Sequence, residues 1–499
     1  MTREIAYPAA TGGSPAAAEP AGIRYFYGVS GSRTTSAGWL ARMGFADPAR
    51  AERLLLTDLG VTAAELRTDP LVTAVAAAAD PDLAVTGLSR LFAAAGRGRD
   101  PLRTALRAEE DFRDRLAAVL GVSAGLADHL ARHPEDAELL RGATGRPAEA
   151  ELRAGLLHAV GADPGDPDPG DPDEPVATGG EPTAALAAAY RRRLLHLTAR
   201  DLTGAVTVDE VGEELADIAA AVLEAALAVA RAELPPGATP ARLAVVAMGK
   251  CGGRELNYAS DVDVIFVAEP VKDEDEDETA ALATASRLAA GLIGVCARST
   301  PEGSIFPVDP NLRPEGRAGP LVRTLASHLA YYERWAKTWE FQALLKARPV
   351  AGDMPLGQAY ADTLGPLVWQ AARREHFVED VQAMRRRVEQ SLPARQAGRE
   401  LKLGPGGLRD IEFAVQLLQL VHGRTDEALR SPATLPALAA LAAGGYVGRA
   451  DADELGAAYR FLRRTEHLLQ LSRLSRTHTL PEDPAVLRRL GRADRKSVV

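Results

Sequence analysis

Two carboxylates stand two residues apart in the run VVAMGKCGGRELNYASDVDVIFVAEP, residues 245–270. The run begins and ends on apolar, largely β-branched residues, so Asp261 and Asp263 fall inside what otherwise reads as a strand. Side chains at i and i+2 of a strand share one face. Asp261 and Asp263 therefore project together, while Val262 and Val264 turn to a core. Adjacent carboxylates repel unless a cation lies between them. A hard divalent cation solves this, and Mg2+ shared with phosphate oxygens is the usual partner of one or two carboxylates. Asp309, on the further candidate strand SIFPVDPNLRPEG (304–316), is placed to supply a third. One carboxylate could then bridge two metals, or position and deprotonate an attacking oxygen.

The residues ahead of the pair fit phosphate chemistry. Gly249, Gly252 and Gly253 follow a strand-like run, and glycines there let backbone N–H groups approach phosphate oxygens closely. Lys250 adds a point charge, and Ser260 directly precedes the acidic pair. The spacing is not that of a Walker loop, and no Ser or Thr follows the lysine, which disfavours a P-loop ATPase. An isolated Asp-x-Asp is commonly a solvated pair or a turn. The order here is more specific: strand, Gly-rich turn, Ser-Asp-x-Asp strand, then Asp309 on a later strand. That order resembles the nucleotidyltransferase arrangement of polymerase-beta-like enzymes.

The elements that must position these groups are few. RLAVVAMG and DVDVIFVAE read as short strands, with SIFPVDPNLRPEG as a third. Almost everything else has helical periodicity, including 36–160, most of 183–234, and 322 to about 475. The expectation is an α+β chain, predominantly helical, with a small mixed sheet flanked by helical domains. Residues 1–22 read as a disordered tail, 23–162 as an N-terminal helical region and 163–182 as an acidic Pro/Gly linker or loop. A nucleotidyltransferase domain over 183–365 and a helical domain over 366–495 follow.

Composition narrows the classes. A chain of 499 residues is too long for one core. A net charge of −10 argues against a nucleic-acid partner bound by a broad basic surface. Cys251 and Cys296 are the only cysteines and lack metal-ligand spacing, which fits a reducing cytoplasm. No apolar run is expected to reach the ~20 residues of a membrane span, so no membrane partner is expected. The ending LGRADRKSVV, soon after a helical segment, suggests that the natural chain continues.

Three blocks resemble one family. MGKCGGRELNYASDVDVIF is similar to the signature of glutamine synthetase adenylyltransferase/adenylyl-removing enzymes. VDPNLRPEGRAGPLVRTLASHLAYYERWAKTWEFQALLKARPVAGD (308–353) and LKLGPGGLRDIEFAVQLLQLVHG (401–423) resemble later blocks of the same family. The family carries two nucleotidyltransferase halves. One attaches AMP from ATP to a tyrosine of glutamine synthetase, and the other removes it by phosphorolysis, giving ADP. This chain looks more like the N-terminal, adenylyl-removing half.

The resemblance implies Asp261, Asp263 and Asp309 as Mg2+ ligands, with Gly249, Gly252 and Gly253 along the phosphates. It implies ATP or ADP and phosphate as substrates or products, glutamine synthetase as protein substrate, and regulation by a PII-type signalling protein. Arg313 either neutralises phosphate charge or pairs with Glu315. Lys346 and Arg348 end a stripe with Trp335, Trp339 and Gln342, whose aromatics read as core, and these two cations are candidates for phosphate contact. Glu412, Gln416 and Gln419 form a polar stripe expected to make structural hydrogen bonds. Alternatives are the forward adenylylation, a related uridylyltransferase, or a catalytically inactive regulatory scaffold.

Overall fold

Two strands rich in Val, Ala and Ile set the frame. β1 (Ala241–Ala247) and β2 (Val262–Pro270) pair antiparallel, from Ala241 opposite Pro270 to Ala247 opposite Val264. β3 (Val308–Asp309) runs parallel to the start of β2, and β4 (Val322–Arg323) runs parallel to its middle. β5 (Arg348–Gly352) pairs antiparallel with the free side of β1, giving the order β3-β2-β1-β5. The computed structural model describes residues 35–142, 145–165, 174–271, 277–390 and 392–494. The expected tail over 1–22 lies outside them.

Both faces of the sheet are covered. Leu243, Val245, Val262, Val264 and Phe266 belong to one buried cluster, and Ala244, Val246, Ile265 and Val267 belong to another. This period of two is what a strand requires, and it puts Asp263 on the face of Ile265 and Val267. The first face packs on helices Val208–Ala232 and Glu278–Ala297. The second packs on Met354–Gln370 through Leu356, Tyr360 and Leu364. The Val208–Ala232 helix is Ala-rich and starts at Thr207, whose side chain caps Glu210 N–H while the Glu210 carboxylate accepts from Thr207 N–H. Such a cap contributes about 1 kcal/mol.

The α+β, mostly helical architecture matches the expectation, with several corrections. The third strand is two residues long rather than the whole of 304–316. The helical stretch expected from 322 is interrupted by β4 and β5. β5 contains Pro349, which lacks an N–H and is tolerated because the strand lies at the edge of the sheet. The Trp335 stripe is broken as well: one helix ends at Arg334, the next starts at Thr338, and Trp335 between them is 73% exposed rather than core.

One buried cluster runs from Leu40 through the N-terminal helices to Val262, Phe306 and Leu471, crossing the junction expected near 162–183. Of the exposed loop expected over 163–182, residues 166–173 lie outside the described residues, and 174–181 is mostly exposed with one anchored point. Ala177 is buried and donates its N–H to Ala228 O at 3.0 Å, and Gly179 N–H reaches Val160 O. These two hydrogen bonds and the buried Ala177 side chain pin an otherwise largely exposed stretch, 174–181, to the helical core. The Glu278–Ala297 helix is long and apolar enough to cross a membrane by length and composition, contrary to expectation. It packs instead, with Ala285, Leu288, Leu292 and Val295 in the shared core.

Candidate active site

The register of β2 and β3 decides the geometry. Val262 pairs with Val308 and Asp263 with Asp309, so two carboxylates lie side by side on adjacent parallel strands. Asp261 sits just before β2. Burial first, and then the charges of Asp261 and Asp309, push the Asp263 carboxyl up to about 6. No donor hydrogen-bonds to the Asp263 carboxylate among the described residues, whereas Asp309 Oδ1 accepts Asn311 N–H at 2.8 Å and Ser260 Oγ lies 3.4 Å from Asp261 Oδ1. Three clustered carboxylates, the buried Asp263 without a donor on its oxygens, fit a divalent cation. A cleft of about 360 Å³ opens beside Ser260 and Asp261.

Gly249 belongs to this cluster. Its φ is +52°, and a Cβ there would meet Asp263 Oδ2 at 2.5 Å. The other glycines serve packing: a Cβ on Gly252 would lie 1.8 Å from Lys346 O, and one on Gly253 would lie 2.9 Å from Pro432 O. The remaining expected phosphate contacts are engaged by protein groups. Lys250 Nζ lies 3.3 Å from Glu466, and burial pushes the amine down to about 7. Lys346 is buried against Glu255 and Thr434. Arg348 donates to the carbonyls of Cys251 and Gly252, tying β5 to the Gly-rich turn. Arg313 donates to the carbonyls of Pro310, Gly319 and Pro320, and Glu315 pairs with Arg323 instead. The structure thus brings Asp261, Asp263, Asp309, Gly249 and Ser260 together and gives the other six separate partners.

Comparison with known proteins bears on this cluster. The family model described as glutamate-ammonia ligase adenylyltransferase matches residues 113–363, which hold the whole sheet and all three aspartates. The chain belongs to this family. Over residues 382–497 the chain matches the model described as GlnD PII-uridylyltransferase. Curated relatives named bifunctional glutamine synthetase adenylyltransferase/adenylyl-removing enzyme include one from Streptomyces avermitilis, 56% identical over 472 residues, covering 93% of this chain and 44% of the relative. The Streptomyces coelicolor relative is 56% identical over 93% of this chain and 45% of its own length. The Mycobacterium avium relative is 50% identical over 91% and 44%. The chain therefore spans less than half the length of these relatives.

In this adenylyltransferase-family chain, sequence reading missed the cations that face the triad. Lys402 and Arg409 flank the Gly-Pro-Gly-Gly turn, which folds back so that Arg409 N–H donates to Lys402 O at 2.9 Å. Both lower the proton affinity of Asp263 through their charge. Arg476, after the Arg449–Arg473 helix, pairs with Asp261 Oδ2 at 2.6 Å. The signal was present as basic residues flanking a glycine-rich turn, but nothing in the sequence shows that turn meeting β2. The polar stripe behaves as expected: Gln342 donates to Gln416 at 2.7 Å, Gln419 donates to the carbonyls of Leu429 and Ser431, and Glu412 accepts from Arg409.

A second polar cluster backs the segment leading to Asp309. His129, His133 and Glu302 bring ligand-type atoms within 4.8 Å of one another. Glu302 is already saturated: Arg132 forks onto both of its oxygens at 2.6 and 2.8 Å, with His129 and His133 at 2.9 and 3.0 Å. A bidentate guanidinium occupies the lone pairs a metal would need, so the cluster is a latch between the N-terminal helices and the 300–307 segment.

Proposed function

We propose that this chain is a Mg2+-dependent nucleotidyltransferase that removes AMP from an adenylylated tyrosine of glutamine synthetase by phosphorolysis. The observation that carries the reading is the parallel register of Asp263 and Asp309, with Asp261 beside them. An oxygen of free phosphate attacks the AMP phosphorus, the phosphorus–tyrosine oxygen bond breaks, ADP forms, and the tyrosine oxygen takes up a proton. Asp261, Asp263 and Asp309 would hold the cation, which when bound supplies charge stabilisation to the phosphoryl group in transfer. Gly249 gives Asp263 the space to stand where it does. Ser260 and the cleft beside it offer room for the modified side chain.

Three lines favour adenylyl chemistry over uridylyl transfer or an inactive scaffold, and the direction rests on the resemblance to the N-terminal half. The curated relatives are named for both adenylyl transfer and adenylyl removal. The adenylyltransferase match covers the aspartates, whereas the uridylyltransferase match covers only a helical region without them. A regulatory scaffold without catalysis has no need of three clustered carboxylates with an electrostatic cost. The relatives' names also support glutamine synthetase as the protein substrate.

The test is ADP release from adenylylated glutamine synthetase supplied with phosphate and Mg2+. Asp263→Asn removes one negative charge from the cluster, and turnover should fall on the order of a hundredfold with an unchanged circular dichroism spectrum. Near-normal turnover in the folded variant sinks the reading. Label transfer from ATP to unmodified glutamine synthetase, without ADP release from the modified form, would favour the forward reaction.

A further inference from the structure

The charges around the triad do not balance once its carboxylates are committed to a cation. Most nearby cations have a carboxylate of their own: Lys250 has Glu466, Lys346 has Glu255, and Arg409 has Glu412 at 3.1 Å. Two do not. Among the described residues the Lys402 ammonium has no hydrogen-bond or ion-pair partner, although Asp263, Arg409, Glu412, Glu466 and Arg476 all lie within its electrostatic reach. Arg476 has Asp261 as its carboxylate partner, and that is a candidate cation ligand.

A divalent cation on Asp261 would compete with the Arg476 guanidinium for that carboxylate. It would also cancel the attraction that Asp263 exerts on Lys402. Two positive side chains would then stand beside the loaded triad without a carboxylate between them. They come from different segments, Lys402 from one arm of the Gly-Pro-Gly-Gly turn and Arg476 from the stretch after Arg449–Arg473. A compact anion with several oxygens suits such a pair. A guanidinium binds two oxygens in a fork, and an ammonium supplies a point charge.

We propose that Lys402 and Arg476 form the seat of a phosphate anion beside the Asp261–Asp263–Asp309 cluster, and that its occupant is the free phosphate that attacks. The inference rests on the phosphorolytic reading above. Arg476 thereby has two alternative partners, a carboxylate before metal loading and a phosphate after it.

The experiment uses the full chain with Mn2+ as the spectroscopic substitute for Mg2+. Mn2+ binding is read by electron paramagnetic resonance. Binding of radiolabelled inorganic phosphate, and separately of AMP, is read by equilibrium dialysis at saturating Mn2+. Lys402→Met should raise the phosphate Kd tenfold or more without weakening Mn2+ binding. Arg476→Gln should weaken phosphate similarly while tightening Mn2+, because a competitor for Asp261 is gone; a merely structural role would not move the two in opposite directions. The Arg476 side chain is half exposed, so this variant tests the seat even if Lys402→Met does not fold. Phosphate affinity within twofold of the parent in Arg476→Gln and in any folded Lys402→Met, with Mn2+ still bound, overturns the seat alone. Weakened AMP binding with unchanged phosphate binding assigns the cations to the nucleotide and overturns the proposal. A parent chain that binds no Mn2+ overturns the phosphorolytic reading and the seat with it.

Discussion

The Asp263 carboxyl is held at about 6, first by burial and then by Asp261 and Asp309. Its folded value lies above the ordinary 3.8, so between those values the folded chain binds more protons than the unfolded chain. Stability of the metal-free protein therefore falls as pH rises through that window and stays reduced above it. Asp263→Asn should raise the metal-free thermal midpoint by a few degrees at pH 7.5, with the gain vanishing toward pH 4, as differential scanning calorimetry at both pH values will show. A midpoint that drops at pH 7.5 would mean that Asp263 makes a stabilising contact. The carboxylates were legible from the sequence because spacing of two on a strand fixes a common face. The cations opposite were not, because Lys402 and Arg476 reach the site through contacts more than a hundred residues long in sequence, which no local period encodes.

Between β1 and β2 the connection over 248–261 opens with a short helical turn, Gly249–Gly252, and its glycines act in different ways. The missing Cβ of Gly249 makes room for a side-chain carboxylate, and that of Gly252 makes room for the Lys346 carbonyl. A carboxylate can rotate aside, but backbone tied into the start of β5 cannot. Gly249→Ala should therefore fold, at a modest strain cost from its positive φ, and lose Mn2+ affinity tenfold or more in a titration. Gly252→Ala should lose several kcal/mol of stability in urea unfolding, in the range of overpacked cores. Equal effects of the two substitutions on metal and stability would contradict this division. From sequence, both glycines look alike as phosphate approaches. The partner of Gly252, Lys346, lies two residues before β5, whose five residues and Pro349 fall below what strand periodicity can register.

Across the whole molecule, Glu302 joins segments about 170 residues apart. Burial would raise its carboxyl, but hydrogen bonds from Arg132, His129 and His133 outweigh this and hold it at about 2, below the ordinary 4.5. A depressed carboxyl contributes stability that is complete above 4.5 and is lost as pH falls toward 2. The shift corresponds to roughly 3 kcal/mol. Glu302→Gln should cost about that much in urea unfolding at pH 6, and the difference from the parent should shrink at pH 3.5; a constant difference would assign the loss to shape rather than charge. The overall class was legible because helical periods and a few β-branched runs are local signals. The extent of the shared core was not, since Leu40, Phe306 and Leu471 announce only that each is apolar. That shared core bears on how the chain leaves the ribosome. The N-terminal helices emerge first, yet Leu468 and Leu471, which complete their burial, emerge some 300 residues after Val160. At translation rates of about 5–20 residues per second, the early helices must wait roughly 15–60 s with apolar faces uncovered, a window in which a nascent-chain chaperone has its natural client.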